Sequence, residues 1–199
     1  MDSLFHFVFP IIAALASRLH VKHPMRTILA AAFITVLIDL DHFIGLERAT
    51  FHNIFVTILI PLILLYLSFL FRSNRYVKGF FFLLLIFLSS HVFLDLFSNP
   101  ILGNSIGIVT NEGGVALFYP LSTTQYAINF NIKISLKSNA QPNIIEDYLV
   151  SSLGFGILMY FIIILAPCLF LDDILEIAEK KHEKFMKATK EFFKNLLKD

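Results

Sequence analysis

The sequence has very little cysteine and almost no net charge. The 199 residues include a single cysteine, Cys168, so the chain can form no intramolecular disulfide and carries no cysteine-based metal motif. Basic and acidic side chains nearly cancel to a net charge of +1, which removes the bulk electrostatic case for nucleic-acid binding. Basic residues are also missing ahead of the small-residue segment near Ala16, which argues against a secretory signal.

Apolar residues are what the sequence has in excess. They make up 57% of the chain, and the mean hydropathy of +0.75 is well above that of a soluble domain. Three runs approach the roughly 20 residues that a helix needs to cross about 30 Å of hydrocarbon. Two weaker stretches precede them, the first of which could also be re-entrant. The sequence therefore predicts an all-α membrane protein with about five transmembrane helices, at residues 4–19, 25–46, 54–71, 79–97 and 148–171.

Lysine and arginine predict the orientation of the chain, because they favour the cytoplasmic side of short membrane loops. Basic clusters in residues 18–26, 72–78 and 180–198 all fall on the cytoplasmic side of a five-span arrangement whose N-terminus is outside and whose C-terminus is cytoplasmic. The loop of residues 98–147 is then extracytoplasmic. Its alternating apolar and polar residues predict a small β cap, with an ordinary ordered loop as the alternative.

The composition changes after Leu171, and this change predicts two units. Residues 1–171 would form a transmembrane domain with a metal site, including the cap at 98–147. Residues 172–199 would form a basic amphipathic helix in the cytoplasm, with apolar side chains on one face and lysines on the other, as expected of a helix that lies on an anionic leaflet. A solvated helix or an oligomer contact is the alternative for this segment.

Ionisable side chains inside the predicted spans are the strongest functional signal. Each costs on the order of 2.5 to 3.5 kcal/mol near the bilayer centre, so each needs a partner. Counted at 1.5 Å per residue from the cytoplasmic ends, Asp39, His91 and Asp95 lie roughly 18 to 24 Å deep, in the outer half of the bilayer. His52 and His6 lie near the outer ends of their own spans. The sequence therefore predicts that these polar residues converge on one layer.

A shared metal ion would hold these groups together. His91 and Asp95 are four residues apart and Asp39 and His42 are three apart, so each pair can point two ligands at one place. Imidazole and carboxylate suit zinc, with manganese and iron as alternatives, and a bound cation offsets the cost of burying carboxylates. For each pair a buried hydrogen bond is the ordinary alternative. The predicted metal ligands are His6, Asp39, His42, His52, His91 and Asp95.

Five short motifs follow one another in a recognisable order. They are His6, IDLDHF at 38–43, ERATFHN at 47–53, SSHVFLD at 89–95 and GGVALFYPLS at 113–122. This order resembles that of the membrane-bound metal-dependent hydrolases, also described as LexA-binding, inner-membrane-associated hydrolases, over about the first 60% of the chain. The H-x-x-x-D helix is also similar to that of zinc-dependent phospholipase C, an all-helical enzyme that cleaves phosphoesters.

The resemblance implies roles for further residues and shows two departures. Ile38 stands where the family usually has a proline, and Glu47 replaces the first histidine of the second motif. Glu47 could still bind metal or act as a base. The positions that match the polar residues of the family are Asp39, Asp41, His42, Arg48, His52, His91 and Asp95.

These expectations describe a membrane-embedded metal-dependent hydrolase that cleaves a phosphoester of a lipid or lipid-linked substrate at the outer leaflet. The metal would lower the pKa of a bound water toward about 7, Asp41 or Glu47 would take its proton, and Arg48 would clamp a phosphate oxygen or serve as an interfacial anchor. On a regular helix Asp41 faces away from the ligands, so it needs a local distortion, a second ion or a role in orienting a histidine. The alternative is a non-enzymatic ion or metal carrier, or a structural metal-binding subunit.

Overall fold

The computed structural model describes five parts of the chain, residues 3–16, 23–43, 49–97, 105–131 and 152–196. Its elements are α1 (Ser3–Ala16), α2 (Pro24–Leu37), a 3-10 helix (Ile38–Phe43), a π-helix (Phe55–Leu59), α3 (Ile60–Leu70), α4 (Arg75–Asp95), β1 (Ser105–Val115), β2 (Tyr126–Asn131), α5 (Ser152–Leu169) and α6 (Leu171–Leu196). α4 lies at the centre, in contact with α2, α3 and α5, and α1 packs against α2 and α5.

α4 is the apolar helix around which the others pack. It begins at Asn74, whose side chain accepts a hydrogen bond from the N–H of Val77 at 3.0 Å and so satisfies one free donor of the first turn. Leu83 and Phe87 of α4 are fully buried in one core with Tyr160 of α5. The 21 residues of α4 extend about 31 Å, which is close to the thickness of the hydrocarbon layer.

The prediction of five transmembrane helices is wrong. Within the described residues, α4 is the one helix long and apolar enough to cross a membrane, and the bent pair Gly154–Leu169 and Leu171–Phe192 adds a second if it counts as one span. The helices at the first and third predicted positions, His6–Leu15 and Phe55–Leu70, are shorter, and α2 has 14 residues. The all-α prediction is also wrong, because β1 and β2 form an antiparallel sheet.

Irregular helical segments adjoin α2 and α3. Regular α-helix ends at Leu37, and IDLDHF continues the chain as a 3-10 helix. The third predicted span begins as a π-helix before it becomes regular at Ile60. Both kinds of helix change the angle between successive side chains and occur mostly in short pieces, often at functional sites. Asp39 lies on the first of these irregular segments, and His52 lies shortly before the second.

A hairpin is present in the segment for which a β cap was predicted. β1 and β2 pair from Ser105 opposite Asn131, and a bulge before Val115 interrupts the otherwise regular register. The N–H of Ile128 donates to the carbonyl oxygen of Leu96 at 2.6 Å, directly after the end of α4. The sheet is thereby fixed to the end of α4 that carries His91 and Asp95. Residues 98–104 and 132–151 of the predicted loop lie outside the described part of the chain.

α6 leaves α5 at an angle of 62°, and two ion pairs hold its first half against α4. Arg75 Nη2 lies 2.7 Å from Asp172 Oδ1, and Lys78 Nζ lies 2.7 Å from Glu179 Oε1. The first pair is about half exposed and contributes little. The second is better shielded, because the Lys78 side chain is 11% exposed and lies over the ring of Phe69. The Lys78–Glu179 pair is therefore the stronger link between α4 and α6.

We expect Glu179→Gln to lower the free energy of unfolding by about 1 to 3 kcal/mol, because the largely buried Lys78 ammonium loses its counter-ion. Glu176→Gln is the matched control, since it removes the acid of an exposed ion pair with Lys180 on the same helix and should leave stability nearly unchanged. Thermal unfolding of the detergent-purified proteins compares the two. Equal melting temperatures would contradict the role assigned to the Lys78–Glu179 pair.

Candidate metal centre

Four side chains from three separate parts of the chain meet at one point. Asp39 comes from the 3-10 helix, His52 from the loop before the π-helix, and His91 and Asp95 from the end of α4. One nitrogen or oxygen of each lies within 4.8 Å of those of the other three, and all four residues are buried. We call Asp39, His52, His91 and Asp95 the ligand cluster.

The distances in the ligand cluster match the edges of a coordination tetrahedron. Four nitrogen or oxygen ligands at about 2.0 to 2.1 Å from zinc lie roughly 3.3 to 3.4 Å from one another. His52 Nε2 lies 3.1 Å from His91 Nε2, and it lies 3.4 Å from Asp39 Oδ1 and 3.2 Å from Asp95 Oδ2. His91 Nε2 lies 3.1 Å from Asp39 Oδ1 and 3.5 Å from Asp95 Oδ2. These separations fit one ion held between the four side chains.

Burial explains why this group of side chains calls for a cation. His52 and His91 are 0% exposed, Asp95 is 2% exposed and Asp39 is 8% exposed, so little water reaches the two carboxylates. Burying carboxylates without a compensating charge is costly. A divalent ion compensates both carboxylates and also accepts the lone pairs of both imidazoles. Two nitrogens and two oxygens suit zinc, and manganese or iron are alternatives.

Asp41 lies behind His52 and orients it. Asp41 Oδ2 accepts a hydrogen bond from His52 Nδ1 at 2.8 Å and another from the N–H of Phe51 at 3.0 Å. The imidazole of His52 is thus held between Asp41 at Nδ1 and the ligand cluster at Nε2. A carboxylate on the second nitrogen fixes the ring orientation and tautomer of a metal-binding histidine. Of the three roles that the sequence left open for Asp41, the geometry fits the orientation of a histidine.

The carboxylates around His52 also determine its protonation in the metal-free protein. Burial lowers the pKa of His52, but hydrogen bonds with Asp39, Asp41 and Asp95 outweigh burial and raise the pKa to about 11. His52 is therefore an imidazolium at neutral pH when no ion is bound, and its positive charge partly replaces that of the ion. A metal must displace this proton in order to bind Nε2.

Asn53 positions His52 through the backbone, a role that the sequence interpretation missed. Its side-chain nitrogen donates to the carbonyl oxygens of Ala49 and Thr50 at 2.9 and 2.8 Å. Its side-chain oxygen accepts from the N–H groups of Phe55 and Val56, both at 3.0 Å. These bonds tie the loop to the start of the π-helix. An asparagine directly before an apolar helix is the signal that could have indicated this cap.

His6 adjoins the ligand cluster from α1 and stacks on His91. The two rings are 3.7 Å apart at an interplanar angle of 16°, and His6 Nε2 lies 3.3 Å from Asp95 Oδ1. Asp95 thus presents Oδ2 to the other ligands and Oδ1 to His6. Among the described residues the four-membered group does not include His6, and the geometry places it as a neighbour of two ligands.

Three residues of the predicted site lie partly or wholly outside the described part of the chain. His42 belongs to the 3-10 helix, but its side chain is not described. Glu47 and Arg48 fall in residues 44–48, which the structure does not describe. Their predicted roles as metal ligand, base and phosphate clamp stay predictions.

Comparisons with known proteins bear on the membrane assignment. A family model described as YdjM inner membrane protein matches residues 1–171. Among curated proteins and among solved structures, nothing matches. The match agrees with the inner-membrane part of the family resemblance. It does not test hydrolase activity or the similarity to phospholipase C.

We expect the purified protein to retain about one zinc per chain and His91→Asn to lose it, because one ligand of the tetrahedron is removed. Asp41→Asn should keep the ligands but weaken zinc affinity about 10- to 100-fold, because His52 loses the carboxylate that orients it. His23→Asn is the matched control, since His23 is exposed and lies outside the cluster. Elemental analysis and competition with a zinc chelator measure both effects. Full zinc content in His91→Asn would contradict the site.

Metal binding should release protons and strengthen as the pH rises. The raised pKa of His52, about 11, keeps it protonated in the metal-free protein across the neutral range, and zinc needs the neutral imidazole. Zinc titration calorimetry at pH 7 in two buffers of different ionisation enthalpy measures the number of protons released. A heat that is the same in both buffers would mean that no proton leaves, which contradicts the assignment of His52 as a ligand.

Proposed function

Since the chain belongs to the YdjM inner membrane protein family, we propose that it is a membrane-embedded, metal-dependent hydrolase. Its substrate is a phosphoester of a lipid or a lipid-linked molecule. The metal is zinc, held by Asp39, His52, His91 and Asp95, whose ligand atoms lie close enough to share one ion. A zinc ion bound there supplies the activation of water for attack on an ester.

The close approach of four buried ligand atoms carries the proposal, and Asp39 is the ligand nearest to solvent. Its side chain is 11% exposed, whereas those of His52, His91 and Asp95 are 0 to 2% exposed. The Asp39 side is therefore the least shielded side of the ligand cluster, and we propose that water and substrate approach the cluster from it. A zinc site that catalyses hydrolysis needs such an accessible position, and zinc expands to five ligands in some catalytic sites.

The place of the cluster along α4 supports a lipid substrate. His91 and Asp95 lie at the C-terminal end of a helix long enough to cross the hydrocarbon layer, so the site lies near one head-group layer. Arg75 and Lys78 at the other end favour the cytoplasmic side. We therefore propose that the cluster faces the outer leaflet. This inference uses α4 alone and does not depend on the number of other spans.

The chain supplies the remaining groups of the proposed reaction. Asp41 is engaged at His52, so it acts by holding that ligand, and we assign Glu47 to accept the proton of the attacking water. Arg48 lies next to Glu47 in sequence and would bind a phosphate oxygen in the transition state. Both assignments come from the family resemblance and are proposals for residues 44–48.

A structural metal site is the second candidate, and one observation favours it. The ligand cluster offers four protein ligand atoms, enough to fill a tetrahedral site without water, which is typical of structural zinc. A carrier fits less well, because its ionisable groups belong near the membrane midplane, whereas this cluster lies at the end of α4. The choice is thus between a hydrolase with an added water and a structural ion.

We expect zinc-loaded wild-type protein to release phosphate or a phosphorylated head group from a phospholipid panel. Glu47→Gln should retain zinc and lower turnover about 100-fold or more, because proton transfer is lost. His91→Asn should lose both the zinc and the turnover, and His23→Asn should keep both the zinc and the turnover. Phosphate assay and mass spectrometry of the lipids, beside zinc analysis of the same samples, measure the outcome. Zinc content without turnover in the wild type would support the structural site and contradict the hydrolase.

A further inference from the structure

A basic cavity lies at the opposite end of α4 from the ligand cluster. It has a volume of about 540 Å³ and is lined by residues at the end of α3, in the first turn of α4 and in the middle of α6. Lys78 lines it, and at 1.5 Å per residue Lys78 lies roughly 20 Å along α4 from His91. The cavity is therefore separate from the candidate metal centre.

The charges of the cavity favour an anion. Four basic and two acidic side chains line it. Lys78 and Glu179 are engaged with each other at 2.7 Å, so they neutralise one another. The charge that faces a ligand is that of three basic residues offset by Glu183, and these three are Arg72, Lys187 and Lys190.

The backbone of Arg72 makes this residue suitable for testing the cavity. Arg72 directly follows α3 and has a φ of 51°, in the left-handed region. Its N–H donates to the carbonyl oxygen of Phe69, and the N–H of Ser73 donates to that of Ser68, which is the helix ending that glycine favours. A side chain in this conformation is strained. The helix ending would be better served by glycine, so it does not explain an arginine.

Apolar side chains beside these charges indicate a ligand that is both anionic and hydrophobic. Phe69, Leu70 and Met186 line the same cavity. Phe185 and Phe192, which do not line the cavity, are 61% and 62% exposed on the face of α6 opposite Lys187 and Lys190. The angle between α5 and α6 is 62°. If α5 crosses the membrane with a tilt in the usual range of about 0 to 40°, α6 can lie close to the membrane plane. This end of the molecule thus fits the head-group layer.

We propose that the cavity binds the head group of an anionic phospholipid. Arg72, Lys187 and Lys190 contact the phosphate oxygens, because guanidinium and ammonium groups donate strong hydrogen bonds to them. Phe69 and Leu70 pack against the apolar part of the same lipid. The site does not depend on the hydrolase proposal, since it lies at the other end of α4 and uses none of the metal ligands.

Thermal unfolding of the full-length protein in detergent tests the site. Short-chain dioctanoyl phosphatidylglycerol should raise the melting temperature in a saturable way, whereas dioctanoyl phosphatidylcholine and inorganic phosphate should not. Arg72→Gly should weaken the apparent affinity for phosphatidylglycerol about tenfold or more, because it removes charge-assisted hydrogen bonds. Its melting temperature without lipid should not fall, because glycine suits the left-handed position. A folding defect therefore cannot account for the loss.

Two lysine variants separate a site from diffuse attraction. Lys187→Gln should weaken phosphatidylglycerol binding, whereas Lys184→Gln removes an exposed lysine of the same helix that does not line the cavity and should not. Equal weakening by both would mean that the whole lysine face attracts the lipid, and this would overturn the proposal. An affinity of Arg72→Gly for phosphatidylglycerol equal to that of the wild type would overturn it as well. So would a thermal shift from inorganic phosphate as large as that from phosphatidylglycerol.

Discussion

The need to compensate two carboxylates in an apolar interior is the constraint on which the rest of the structure depends. Asp39 and Asp95 each lie within 3.5 Å of both His52 and His91, and they are only 8% and 2% exposed. The protein can satisfy them with the proton on His52 or with a divalent ion, and the near-tetrahedral spacing fits the ion. Asp41 and Asn53 then hold His52 in place, one through its ring and the other through its backbone.

This constraint also explains the irregular helices. The 3-10 helix brings Asp39 and Asp41 to opposite nitrogens of the same imidazole, which a regular helix would not do with residues two apart. The π-helix follows the loop that delivers His52. The 3-10 helix also limits the regular part of α2 to 14 residues. The polar site and the shortness of this predicted span are therefore two results of one arrangement.

α4 gives the molecule two chemically different ends. One end carries His91 and Asp95 beneath the hairpin, and the other carries the Lys78–Glu179 pair beside the basic cavity. The helix is about as long as the hydrocarbon layer is thick, so a membrane-spanning α4 would have both of its ends near head groups. The proposed reaction and the proposed lipid site would then lie on opposite leaflets, which lets each be tested without the other.

The sequence by itself determined the membrane character, the helical course of α4 and the identity of most of the polar residues that meet, because hydropathy and i to i+4 spacing are local properties. His52 and His91 are 39 positions apart, and only the family resemblance and a depth argument linked them before the structure did. The lengths of the regular helices, the orienting role of Asp41 and the place of His6 were decided by tertiary structure alone. The physical reason is that a helix adopts 3-10 or π geometry, and a carboxylate turns toward one nitrogen or another, in response to partners that lie far away along the chain.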